Sequence, residues 1–287
     1  MLQAAARRGN WRCVESQTGC CLKRRDRGYI PVMQTFLSDG VTLAYRDMPA
    51  EGLDLGEPIL LIHGFASSHQ INWIAPSWAT TLTRAGRRTI LFDNRGHGES
   101  EKLYDPESYA TERMAQDAVN LLDHLSVSHA DVMGYSMGAR IAAFLALQHP
   151  ARVRGLILGG LGDHLVDGVG LPLGIADAME APSLAMLLDP TQRLFRAFAE
   201  QNRSDLRALA ACIRGSRQTL TVAEVGAIVA PTLIAIGTAD TVAGDGHKLA
   251  AMFKQAKALD IPGRDHNRAV GDKVYKDGAL EFLAFRP

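Results

Sequence analysis

The stretch Gly134-Tyr135-Ser136-Met137-Gly138 restricts the fold of this chain more than any other. It joins a short apolar-leaning run, Ala130 to Met133, to Ala139-Arg140-Ile141-Ala142-Ala143-Phe144-Leu145-Ala146, a series of helix formers with no breaker. A strand therefore meets a helix at Ser136. Glycines two positions to either side let strand and helix close up around a sharp, strained turn. Such a turn lifts the serine hydroxyl out of the sheet and points the Met137 amide toward the helix N-terminus, where a developing oxyanion is favoured. A Gly-Ser turn before an ordinary core helix has the same spacing, so the rest of the chain must decide between them.

Around this centre, apolar runs alternate with helical stretches. Thr35 to Leu37 and Val41 to Tyr45 flank Ser38-Asp39-Gly40, which reads as a hairpin on an Asp-Gly turn. Pro58 to Ile62 and Thr89 to Phe92 are continuous apolar runs, the signature of strands buried on both faces. Helices are expected from Ile74 to Ala85 and from Tyr109 to Leu125, and a further strand from Val153 to Leu158. The alternation then breaks. From Gly159 to Val229 there are Gly and Pro loops and helical stretches such as Gln192 to Gln201 and Asp205 to Arg214, with no strand between them. It resumes with Pro231 to Gly237, a helix around His247 to Lys257, a strand from Ala258 to Ile261 and a last helix from Lys273 to Phe285. The expected fold is α/β: a mostly parallel, doubly wound sheet formed by residues 33–158 and 230–287, with residues 159–229 inserted as a helical cap. Ligands of such sheets lie beyond the carboxyl ends of the strands. His63, Asp93, Ser136 and Asp240 all fall there.

The chain has 287 residues, 47% hydrophobic and 22% charged, enough for one large core. Its formal net charge is zero, which argues against nucleic acid or an anionic membrane as a partner. No apolar run approaches the roughly 20 residues that cross a bilayer. Residues 1–32 differ in character. Arg7, Arg8, Arg12, Lys23, Arg24, Arg25 and Arg27 face only Glu15 and Asp26, and three of the four cysteines, Cys13, Cys20 and Cys21, lie there in no zinc-binding spacing. With no apolar core of a signal peptide, this segment reads as a disordered basic extension ahead of a domain that begins at Met33. Reduced cysteines and a cytoplasmic setting are expected.

A serine hydroxyl is a weak nucleophile until a base takes its proton, and the base needs an acid to fix its tautomer. After Ser136 the histidines are His149, at a helix end before Pro150; His164, at the mouth of the cap; His247, within a helix; and His266, in Pro262-Gly263-Arg264-Asp265-His266 after the short final strand. A loop there brings His266 over Ser136, with His164 the rival. For the acid, Asp240 follows the Pro231 to Ile236 strand, and Asp163 is its rival. Asp265 adjoins His266, but neighbours in an extended loop point apart. No HExxH or Gly-rich phosphate loop is present, so no metal, nucleotide or flavin cofactor is implied.

Together His63-Gly64-Phe65, Asp93-Asn94-Arg95-Gly96-His97-Gly98-Glu99-Ser100, the turn at Ser136, Asp240 and His266 make the chain from Gln34 to Phe285 resemble the α/β-hydrolase fold superfamily. The order Ser136, Asp240, His266 is that of its triad. The resemblance implies that the amides of Phe65 and Met137 hold the oxyanion, and that Arg95 and His97 shape a loop. Ala139 stands where many relatives have a second glycine. The expected activity is hydrolysis of a small carboxylic ester, the substrate being the expected partner. Arg140, four after Ser136, is similar to the arginine of a pyruvate-eliminating synthase, although an exposed helix arginine has the same spacing. Tyr135 replaces the Asn common in carbon-carbon bond hydrolases. A non-catalytic small-molecule receptor is the third class.

Overall fold

The computed structural model describes residues 13–15, 21–23, 32–168 and 171–286. The expected disordered extension lies mostly outside the described residues; within it, Cys13–Glu15 and Cys21–Lys23 pair as short antiparallel strands. Met33–Pro287 form a compact unit of their own.

That unit is built on eight strands: β1 (Gln34–Ser38), β2 (Val41–Met48), β3 (Ile59–Ile62), β4 (Thr89–Phe92), β5 (Ala130–Tyr135), β6 (Val153–Gly159), β7 (Thr232–Gly237) and β8 (Ala256–Ile261). Their order in the sheet is β1-β2-β4-β3-β5-β6-β7-β8. The hairpin β1-β2 is antiparallel, with Ser38 opposite Val41, and β2 runs antiparallel to β4. Every later pairing is parallel. β3 shows why the sheet is covered on both faces. All four of its residues are fully buried, but Leu60 and Ile62 pack with Leu121, Ile141 and Phe144, whereas Ile59 and Leu61 pack with Trp78, Leu82 and Tyr275. At about 1.5 to 3 kcal/mol per buried side chain, such a strand is stable only with helices on either side.

The helices that provide this cover are α1 (Trp78–Arg84) and, at the C-terminus, Lys273–Phe285 on one face, and α2 (Thr111–His124) and α3 (Met137–Gln148) on the other. Between β6 and β7 the described residues hold five α-helices, a 3-10 turn at Leu184–Met186 and no strand: α4 (His164–Asp167), α5 (Gly174–Glu180), α6 (Pro190–Gln201), α7 (Leu206–Gly215) and α8 (Val222–Ala227). Asp189 and Asp205 cap α6 and α7, each accepting a backbone N–H of the first turn.

Two expected helices have different bounds. The stretch from Ile74 to Ala85 is split into a π-helical turn, Gln70–Ile74, and α1, because Pro76 offers no N–H and Ser77 turns left-handed at φ 67°. The helix expected at 247–257 is α9 (Gly246–Ala250), since Gln255 is already aligned with the sheet, its carbonyl accepting the N–H of Thr232.

Candidate active site

Ser136 sits between β5 and α3 at φ 54° and ψ −115°, a strained backbone conformation for a residue with a side chain. Its amide donates to the carbonyl of Gly159. The two flanking glycines make the turn possible by close approach. A Cβ on Gly138 would lie 2.0 Å from the Ile62 carbonyl oxygen, and one on Gly134 would lie 2.1 Å from that of Gly138.

His266 Nε2 lies 3.0 Å from Ser136 Oγ, and its Nδ1 lies 2.7 Å from Asp240 Oδ2. The Asp240 side chain is fully buried. Its other oxygen accepts the amides of Val242 and Ala243, so the carboxylate is held from both sides. With Nδ1–H donating to Asp240, the neutral ring keeps its lone pair on Nε2, facing the hydroxyl. The rivals are engaged elsewhere. His164 Nδ1 is bonded to the Val242 carbonyl, and Asp163 accepts from the Asp245 amide and from Lys248. His149 ends α3, His247 faces Asp260 at the surface, and Asp265 accepts the amides of Asn267 and Arg268.

The loop after β3 lies against this group. An ideal Cβ on Gly64 would be 3.4 Å from that of Ser136. Phe65 and Met137 border the same space beside Ser136, and neither amide donates to a protein acceptor among the described residues. Below them, His63 is fully buried. Its Nδ1 donates to the Gly64 carbonyl and its Nε2 accepts from the Asn94 amide, and burial pushes its pKa down to about 4. Burial alone would raise the Asp93 carboxyl, yet the bonds from His69 and the neighbouring His63 prevail and hold it below the ordinary range. Arg95 forms a buried bidentate pair with Asp117, and His97 donates to the Arg95 carbonyl. This stretch is structural.

Three features escape the sequence reading. Asn72, in the π-helical turn, accepts the Gly64 amide at 2.8 Å and so fixes the loop that carries Phe65. Tyr135 donates its hydroxyl to the carbonyl oxygen of His266 at 2.6 Å, with the two rings 5.5 Å apart. Arg140 is not an exposed helix residue: it is 2% exposed, donates to the carbonyls of His164 and Gln218 at 2.8 Å each, and has no carboxylate partner among the described residues. Burial and nearby Arg217 push its pKa down to about 10. Among the described residues, no group of three or more His, Cys, Asp or Glu side chains is arranged to hold a metal ion.

A strained serine after the fifth strand, with aspartate and histidine supplied after the seventh and eighth, is the arrangement of one superfamily, and the chain has its fold, the α/β-hydrolase fold. Residues 57–181 match the α/β-hydrolase fold family. Of solved structures, a hydrolase from Pseudomonas aeruginosa PA01 is 26% identical with a TM-score of 0.72, over 88% of this chain and 98% of that one. A Bacillus subtilis (strain 168) protein, provisionally named 2-succinyl-6-hydroxy-2,4-cyclohexadiene-1-carboxylate synthase, is 36% identical over 124 residues, 42% of each chain. A provisionally named carbamate hydrolase RutD of Variovorax paradoxus (strain S110) is 29% identical over 255 residues, 80% of this chain and 92% of that one. The match thus spans less than half of the Bacillus relative and nearly all of the Variovorax one. Two of these three relatives are named as hydrolases.

Proposed function

We propose that the protein is a serine hydrolase that cleaves a small carboxylic ester through an acyl-enzyme. The observation that carries this reading is the continuous path from Ser136 Oγ through His266 to buried Asp240, at 3.0 and 2.7 Å. Ser136 attacks the ester carbonyl carbon while His266 Nε2 takes its proton. The oxyanion accepts the N–H groups of Phe65 and Met137 as it forms. Collapse breaks the bond to the alcohol oxygen, which takes the proton from His266. A water, deprotonated by the same nitrogen, then attacks the acyl-enzyme, and the acid leaves as Ser136 regains its proton. Asp240 stabilises the imidazolium at each stage. The residues between β6 and β7 act in this reading as a cap over the strand ends. A cytoplasmic setting belongs to the same reading, supported by the buried free thiol of Cys212 and by the absence, among the described residues, of any helix long and apolar enough to cross a membrane.

A second reading, a pyruvate-eliminating lyase, is favoured by Arg140, a buried guanidinium without an acidic partner among the described residues that borders the space beside Ser136. Stopped-flow hydrolysis of p-nitrophenyl acetate separates the two. A hydrolase releases a burst of nitrophenol equal to the enzyme concentration, and Ser136→Ala lowers turnover roughly 10⁴- to 10⁶-fold, with Asp240→Asn costing about 10⁴. Absence of a burst, with pyruvate formed from a cyclic carboxylate substrate, would reject the ester reading.

A further inference from the structure

Ser136 stands between two unequal cavities. The larger, about 330 Å³, is bordered by Asn72, His266 and the α6 side chains Leu194, Phe195 and Phe198. The smaller, about 40 Å³, is bordered by Met137, Leu171, Ile213 and Val242, and His266 is not part of its wall. Phe65 borders both.

Proton flow tells the two apart. When the tetrahedral intermediate collapses, His266 Nε2 must hand its proton to the departing oxygen, so that oxygen and whatever it carries lie on the His266 side. The carbonyl oxygen points to the Phe65 and Met137 amides. The remaining substituent, the acyl chain, is then directed away from His266, into the smaller cavity. At about 10 to 15 Å³ for each water-sized group, that cavity holds roughly three or four non-hydrogen atoms. Its wall is firm: Leu171 is 7% exposed and Ile213 is 3% exposed, with Ile213 on α7 packed into the core. The larger cavity falls in the range that encloses a sizeable organic group, about 300 to 1,000 Å³.

Resting on the serine-hydrolase reading, we infer that the substrates are esters of short acyl groups, of acetyl to butyryl size, with bulky and largely apolar alcohols. Leu171 and Ile213 set the acyl limit, and Phe195 and Phe198 meet the alcohol.

The test uses the full chain and two series of esters. Among p-nitrophenyl acetate, butyrate, hexanoate and octanoate, kcat/KM falls at least tenfold from butyrate to hexanoate, in line with the roughly 10- to 200-fold effect of one methylene in a fitted pocket. With acetate held fixed and alcohols of similar leaving ability, octyl acetate is cleaved at least tenfold better than ethyl acetate. Leu171→Ala or Ile213→Ala raises hexanoate relative to acetate at least tenfold and keeps the alcohol preference; Phe195→Ala lowers the octyl preference and keeps the acyl profile. A parental optimum at hexanoate or longer overturns the inference without any variant, as does a Phe195→Ala change confined to the acyl series. Labelling of Ser136 by a fluorophosphonate in such a case leaves the hydrolase reading standing. No labelling and no ester turnover would overturn both.

Discussion

Tyr135 ties the strand that ends at Ser136 to the segment that carries His266. His266 opens a helix of only four residues, His266–Ala269, and the tyrosine hydroxyl donates to its carbonyl oxygen. Burial raises the hydroxyl's pKa well above its usual value and keeps it a donor. Tyr135→Phe preserves the ring and removes the bond to that carbonyl. A small displacement of His266 is enough to cost about 10²-fold in rate, so kcat is expected to fall about 10- to 100-fold with KM within about twofold. Labelling of Ser136 by a fluorophosphonate slows in parallel. If only thermal stability drops, Tyr135 is a packing residue. Ser136, His266 and Asp240 were legible because each occupies a fixed place after its strand. The bonds made by Tyr135, Asn72 and Arg140 were not, because their partners are carbonyl or amide groups whose nearness is set by the folded chain and by no residue type in a pattern.

At the scale of elements, α3 lies so close to the end of β3 that an atom of side chain at position 138 has nowhere to go. Gly138→Ala is therefore expected to destabilise the domain by about 1 to 3 kcal/mol in denaturant titrations, and to lower activity further as α3 and the Met137 amide retreat from the Gly64 loop. Alanine at 139, where many relatives carry glycine, fits without exposure. The sheet was readable from its apolar runs, since strands buried on both faces leave continuous hydrophobic stretches. The roles of the residues between β6 and β7 were not. Of the apolar side chains there, Met186 is 64% exposed and faces away, Leu187 and Leu209 are buried, and only Leu194, Phe195 and Phe198 of α6 reach the larger cavity. Which face of α6 meets the cavity depends on how that helix is docked.

For the molecule as a whole, residues 33–287 form their own compact unit, and a protein starting at Met33 is expected to fold and to keep the full-length rate on the proposed ester substrates. A large loss of either would show that residues 1–32 are needed. Acid should weaken the fold through its buried histidines. His63 and His97 are pushed by burial to about 4 and about 3, from an ordinary 6.5, so the unfolded chain binds protons that the native one refuses. Their stabilisation is complete above about pH 6.5 and is lost as pH falls from there to about 4 for His63 and about 3 for His97. Asp131, raised by burial to about 6 despite Arg87 and Arg286, works in the opposite sense over that window. His97→Gln should thus flatten the pH dependence of urea stability by about one proton, roughly 1.4 kcal/mol per pH unit; an unchanged slope would mean that His97 is charged in the native protein. Arg140 leaves a different mark on the whole. From α3 it donates to the carbonyls of His164 and Gln218, near the two ends of the stretch between β6 and β7. One buried guanidinium thus closes that stretch into a loop on α3, while Met186 and Leu188 near its middle are exposed.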